Sequence, residues 1–264
     1  MKLLPLICLL CLATATARTA DLASFVELPE GFIIGGHSKT GWLNSEAAGK
    51  SLKTGVRYRL FGLSGEAGTI TADKAMPDPD VCPDVWMHEI TPETDKPLIG
   101  VSAPWEPAPR KAKQTDTSQP VYIKAAADFL AAQGIARPVV KITQILRVDL
   151  EGDGEDEVLL SATHYPDKQG GMVTSASAGN YSFVLLRRVV GGKLHTSLVE
   201  GEFYPTPKEF NAPNRYEVTG LLDLDGDGKL EIIVHSKYYE GAATSVWQLG
   251  KRGLKRVLEI GCGA

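Results

Sequence analysis

Apolar residues occur along most of this chain in short runs, bounded by glycine, proline and polar residues, and the runs have the length of strands. Between about 25 and 103 the segments GFIIGG, GVRYRLFGL, GTITA and PLIGVSA follow one another in this way, which predicts an N-terminal antiparallel β domain over residues 18–103. After Pro138 the pattern continues through VVKITQILRVDL, EVLLSATHY, NRYEVTGLLDL, EIIVHSKYY, SVWQL and RVLEIG, and each reads as a strand. One segment differs. In VYIKAAADFLAAQGIARP, Ile123, Ala126, Ala127, Leu130 and Ala131 recur at helical spacing and Gly134 stands where a helix would stop. That spacing predicts a single helix over 121–134. Residues 104–120, PWEPAPRKAKQTDTSQP, carry four prolines and a polar run, so they read as a surface linker between the first domain and residues 121–264. The expected fold class is mostly β (α+β).

Two of the junctions between expected strands resemble each other. DLEGDGEDEVLL places Asp149, Glu151, Asp153 and Glu157 at the offsets at which DLDGDGKLEIIV, 74 residues later, places Asp223, Asp225, Asp227 and Glu231. Glu157 to Leu160 align with Glu231 to Val234, and Tyr165 aligns with Tyr239. Two copies of one unit are therefore expected, each a small blade-like antiparallel sheet with an acidic loop between its first two strands. The first copy carries a glycine-rich insertion, DKQGGMVTSASAGN.

The chemistry of the loops points to calcium. This hard cation takes six to eight oxygen ligands, and carboxylates at alternate positions of a tight loop converge on it. Gly154 and Gly228 suit the turn that such winding needs. Position seven, Glu155 or Lys229, would give a backbone carbonyl, and position nine, Glu157 or Glu231, a further carboxylate. An EF-hand needs a bidentate Glu at position twelve and helices on both sides; Leu160 and Val234 stand there, between β runs. The two loops resemble those of FG-GAP and VCBS-type repeats, found in integrin alpha-chain propellers and in secreted bacterial proteins. The resemblance covers about the last 120 residues. It implies an ion that braces a β-hairpin at Asp223, Asp225, Asp227 and Glu231. The first loop departs from the pattern at Glu151, where Asp is usual. Propellers have about four or more blades, and two loops do not imply a complete one.

The first residues, MKLLPLICLLCLATATA, put Lys2 before an apolar run and end on Ala15, Thr16 and Ala17, as in a signal peptide cleaved near Ala17. Bulky Leu10 before Cys11 argues against a lipid anchor. Export to the periplasm or beyond is expected, with no membrane span in the mature chain. Cleavage would leave 27 basic against 32 acidic residues, a formal charge of −5, which offers no attraction to nucleic acid or anionic lipid. It would also leave two cysteines, Cys82 and Cys262, expected to form a disulfide in an exported chain.

Enzymatic motifs are incomplete. GLSGEAG lacks the spacing of a nucleophile elbow. AAGKS ends like a phosphate loop, but Asn44 stands where its first glycine belongs. His88 and Glu89 are followed by Pro92 and no second histidine. Of the five histidines, His235, four residues beyond Glu231, is the one placed to matter. Trp42, Trp86, Trp105 and Trp247 suit core packing, with proline-flanked Trp105 the best placed to contact a ligand. The expectation is a non-catalytic, monomeric binding or structural module that holds up to two Ca²⁺ and takes a protein or glycan partner. The alternative is a secreted hydrolase with its site between the two halves.

Overall fold

The computed structural model describes residues 22–78, 81–90, 97–165 and 173–263; the expected signal peptide lies outside them. Within them the chain is mostly β, with seventeen strands and two helices arranged in antiparallel sheets. No helix among the described residues is long and apolar enough to cross a membrane.

The first half contributes β1 (Leu22–Leu28), β2 (Ile33–Ser38), β3 (Gly41–Leu43), α1 (Ser45–Ser51), β4 (Val56–Gly62), β5 (Gly65–Ala72), β6 (Met76–Pro77), β7 (Trp86–Met87) and β8 (Leu98–Ser102). Six of the strands form one sheet in the order β3-β2-β1-β8-β4-β5. Helix α1 is a correction to the expectation of a single helix. It is seven residues long, with Asn44 Oδ1 capping Ala47 N at 2.9 Å and Lys50 paired to Glu46 at 2.5 Å. So short a helix has no periodic stripe to read, and it depends on its packing. Gly49 lies so close to Trp86 that an added Cβ would come within 2.5 Å of the indole.

The second half begins with β9 (Lys113–Gln114) and α2 (Pro120–Ala132), followed by β10 (Ile142–Val148), β11 (Glu157–His164), β12 (Asn180–Val190) and β13 (Lys193–Tyr204). These five strands run in the order β13-β12-β11-β10-β9. The last sheet is a plain meander of β14 (Arg215–Leu222), β15 (Glu231–Tyr238), β16 (Gly241–Gly250) and β17 (Gly253–Gly263). Each acidic loop thus joins the first two strands of a meander, β10 to β11 and β14 to β15. Helix α2 ends as expected, with Gly134 at a φ of 90° and Ile135 N donating to Leu130 O. Its buried face is Tyr122, Ala126 and Leu130. Ile123, expected inward, is exposed.

The sheets stack in layers because their central strands, such as β11, β12 and β15, are apolar on both faces. On β15, Ile232 and Val234 point into a core shared with Leu146, Val148, Leu159 and Leu186 of the β9–β13 sheet. Ile233, between them, points the other way, into a core with Phe25, Phe61, Ile99 and Val101 of the N-terminal sheet. The β9–β13 sheet alternates likewise, and its far face, with Ile145, Leu160 and Phe183, packs on α2. The edge amides of β14 are satisfied across the layers: Ser182 Oγ accepts from Tyr216 N at 2.8 Å, and the Gln144 side chain accepts from Val218 N at 3.3 Å and donates to Val218 O at 3.0 Å. A covalent tie joins the N-terminal part to the middle sheet. Cys82, between β6 and β7, forms a disulfide with Cys262 of β17, 180 residues away.

Closing so long a loop restricts the unfolded chain strongly, by up to about 5 kcal/mol on a chain-entropy argument. The double substitution Cys82→Ser and Cys262→Ser is expected to lower the unfolding free energy by about 2–5 kcal/mol, read as a shifted urea midpoint. An unchanged midpoint would show that the bridge adds nothing to stability.

Candidate metal centre

The second acidic loop is a tight coil built by its own carboxylates. Asp223, at the end of β14 and buried, accepts from Gly226 N at 2.7 Å and from Gly228 N at 3.0 Å. Asp225 accepts from Asp227 N at 3.1 Å, and Asp227 from Lys229 N at 2.8 Å. Gly226 has a φ of 79°, and a Cβ there would meet the Trp105 ring at 3.2 Å, so both backbone and neighbour demand glycine. As a result, one carboxylate oxygen each from Asp223, Asp225 and Asp227 lies within 4.8 Å of the others.

Glu231 closes the loop from beneath. It is fully buried, and its Oε2 accepts from Leu224 N at 2.8 Å. Burial pushes its carboxyl up to about 8, and repulsion from Asp225, Asp227 and Asp223 adds to the rise. Burial raises Asp223 and Asp225 as well. Four acids thus share a site, and among the described residues the one basic group that acts on them is His37, which works downward on Asp225. Gln248 of β16 donates to Asp225 Oδ2 at 2.7 Å, a neutral partner that holds the carboxylate in place without ion-pairing it. Hard oxygen donors, closely grouped and, among the described residues, without a lysine or arginine partner, fit a divalent cation.

The first loop has the same coil and a different electrostatic solution. Asp149 accepts from Gly152 N, Asp153 N and Gly154 N at 2.6, 3.1 and 3.0 Å, and Glu157 accepts from Leu150 N at 2.9 Å. Partial burial works upward on Asp149, but the amides of Gly154, Gly152 and Asp153 together with Arg110 outweigh it and hold the carboxyl below its ordinary value. Burial raises Glu157. Glu151, the residue that departs from the repeat pattern, is engaged by Arg188 at 3.3 Å and by Lys229 at 3.4 Å. Asp153 and Glu155 are exposed on the coil. Among the described residues the carboxylates of this loop do not gather as those of the second do.

The two loops lie side by side, which their separation in sequence hides. Leu230 N donates to Leu150 O at 2.9 Å. Arg110 donates to Asp149 O at 2.6 Å, to Leu150 O at 3.3 Å and to Gly228 O at 2.7 Å, bridging both coils. The segment read from sequence as a linker therefore works as a clasp. Its Trp105 indole donates to Asp223 O at 2.9 Å, and Pro107 O accepts from Asp223 N at 2.7 Å. Trp105 packs in the core, as do Trp42 and Trp247, while Trp86 packs on α1; no aromatic platform is formed by these four. Lys229, expected to offer only its carbonyl, also sends its ammonium to the other loop. Arg110, Gln248 and Arg188 carry no motif that sequence alone could detect.

Comparison with protein-family models, with curated proteins and with solved structures finds no match to this chain, so geometry and chemistry carry the functional reading.

The sign of a pH effect follows from Glu231. Without a cation the folded protein holds this proton up to about pH 8, whereas the unfolded chain releases it near 4.5. The folded state therefore binds the extra proton between these values, and stability falls as pH rises through that window. In EDTA, Glu231→Gln is expected to flatten the decline and to melt above the parent at pH 8. Parallel pH profiles for parent and variant would contradict the assignment.

Proposed function

We propose that this chain is an exported, non-catalytic binding module whose C-terminal β units are braced by calcium at Asp223, Asp225, Asp227 and Glu231. The observation that carries the reading is the convergence of three carboxylates within 4.8 Å above a fourth that is buried. Four carboxylates held together repel by roughly 1 kcal/mol per close pair even at the dielectric of water. A divalent ion cancels that repulsion, and the Lys229 carbonyl is a further oxygen of the expected kind. The likeness of DLDGDGKLEIIV to FG-GAP and VCBS calcium loops supports the same reading, and the two meanders then correspond to two repeat units.

One ion is proposed where two loops suggested two. In the first loop Glu151 already has Arg188 and Lys229 as counter-charges, so a cation there would have to displace them. The ion's role is structural, because the loop is held by Trp105 and Arg110 and shares no residue with the cavity between the halves. The second reading, a hydrolase, rests on the cavity between the halves, where Glu27, Glu30 and Glu217 stand with His235 apart from both loops, a grouping that acid–base chemistry could use.

Titration calorimetry is expected to give one Ca²⁺ site with a Kd of about 10⁻⁴ to 10⁻³ M, lost in Asp225→Asn and retained in Glu151→Gln. At about 100 times Kd, calcium should stabilise the fold by about 2.7 kcal/mol. The absence of binding heat, together with a melting temperature that EDTA leaves unchanged, would refute the proposal.

A further inference from the structure

A cavity of about 490 Å³ opens where the three large sheets meet, away from both acidic loops. Its volume suits a small ligand, and its charges are ordered by strand register. On the face of the β14–β17 sheet turned toward the N-terminal sheet, Glu217, His235 and Thr244 are register partners in one row. Across the gap stand Glu27 of β1, buried, and Glu30 in the turn after it. Thr244 Oγ1 donates to Glu27 Oε2 and lies 3.1 Å from His235 Nδ1. Two residues along β14 and β15, the next row is Arg215 and Lys237, with Arg215 5.9 Å from the ring of Tyr165. One row therefore faces carboxylates and the neighbouring row carries cations, about 7 Å away at strand spacing.

Leu28, Pro29, Leu98 and Ile99 supply an apolar wall beside these rows. Thr219 adds a hydroxyl that is buried and has no hydrogen-bond partner in the protein. Such groups in a cavity wall usually meet a ligand or water.

We propose that this cavity binds a small zwitterion, its ammonium set against Glu27, Glu30 and Glu217 and its carboxylate against Lys237. Glycine, whose charged ends lie about 2.5 Å apart, brings no hydrocarbon to the apolar wall. A spacer of about five methylenes reaches about 7 Å and lays its hydrocarbon on the apolar wall. Burial, opposed by the Thr244 hydroxyl and helped by Glu30, holds the Glu27 carboxyl at about 7. Among the described residues Glu30, Glu217, His235, Arg215 and Lys237 are the charged or titratable groups around it, and ammonium binding strengthens as pH rises from 6 to 8.

The test is an NMR titration of the full ¹⁵N-labelled chain with 6-aminohexanoate, hexylamine, hexanoate and glycine, run in EDTA and again in calcium. The expected result is saturable binding of 6-aminohexanoate, with shifts at Thr143, Thr163, Thr219 and His235, and affinity at least about tenfold above that of hexylamine, hexanoate or glycine. Glu27→Gln should weaken it by about tenfold while the fold is kept. Should that variant misfold, Glu217→Gln, at an exposed position, should show the same loss. Lys237→Gln should bring 6-aminohexanoate down to the level of hexylamine. Shifts confined to 223–231, equal binding of hexanoate, or no saturation by any probe would overturn the proposal. The EDTA arm separates its failure from failure of the calcium reading, since this cavity shares no residue with either loop.

Discussion

The β14–β17 sheet is apolar on both faces, and the arrangement of the whole chain follows from the need to cover it twice. Ile232 and Val234 on one side and Ile233 on the other cannot all be buried by a single partner sheet, because neighbouring side chains on a strand point to opposite faces. The N-terminal sheet and the β9–β13 sheet therefore take one face each. Edge strand β14 lies where all three meet, with its amides taken up by Ser182 and Gln144, so an edge that would otherwise be open to pairing with another chain is closed.

Stacking the two meanders sets their first loops against each other, and this separates two coils of nearly the same sequence. Lys229 leaves its own loop and pairs with Glu151 of the other. The first loop thereby gains a cation beside Arg188, while the second keeps four acids without a lysine or arginine partner among the described residues, with Gln248 and the charge of His37 acting on Asp225. A difference of one methylene, Glu151 in place of aspartate, accompanies the change, since the longer side chain reaches outward to two basic partners. Position in the stack, more than loop sequence, decides which coil suits a divalent ion.

The same stacking leaves space at its margin. Three twisted sheets do not meet flush along a common line, and the gap between them is lined by rows of polar side chains at the strand ends. Glu27 and Thr244 are bonded across it although they stand 217 residues apart. The carboxyl stays protonated to about pH 7 because it is buried. Such a perturbed acid in a cavity with an apolar wall is a recurrent mark of binding sites.

Much was legible in the sequence, and for local reasons. Strand runs such as GVRYRLFGL and EIIVHSKYY, the helix ending at Gly134, and the two nine-residue acidic coils depend on backbone preferences and hydrogen bonds within a few residues, so their pattern is written where they occur. The two cysteines left after residue 17 allow one pairing, and that pairing is present. Hairpin β12–β13 went unread because its apolar stretch follows an insertion and matches nothing in the second copy. Helix α1 escaped because its seven residues are held by Trp86 and by a cap. The side-chain roles of Lys229, Trp105, Arg110, Gln248 and Glu27 were decided only in the tertiary structure. A period-two pattern states that a strand has two apolar faces and is silent on which sheet will cover each. The partners of these residues, 78 positions away for Lys229 and 118 for Trp105, are set by that choice of layers.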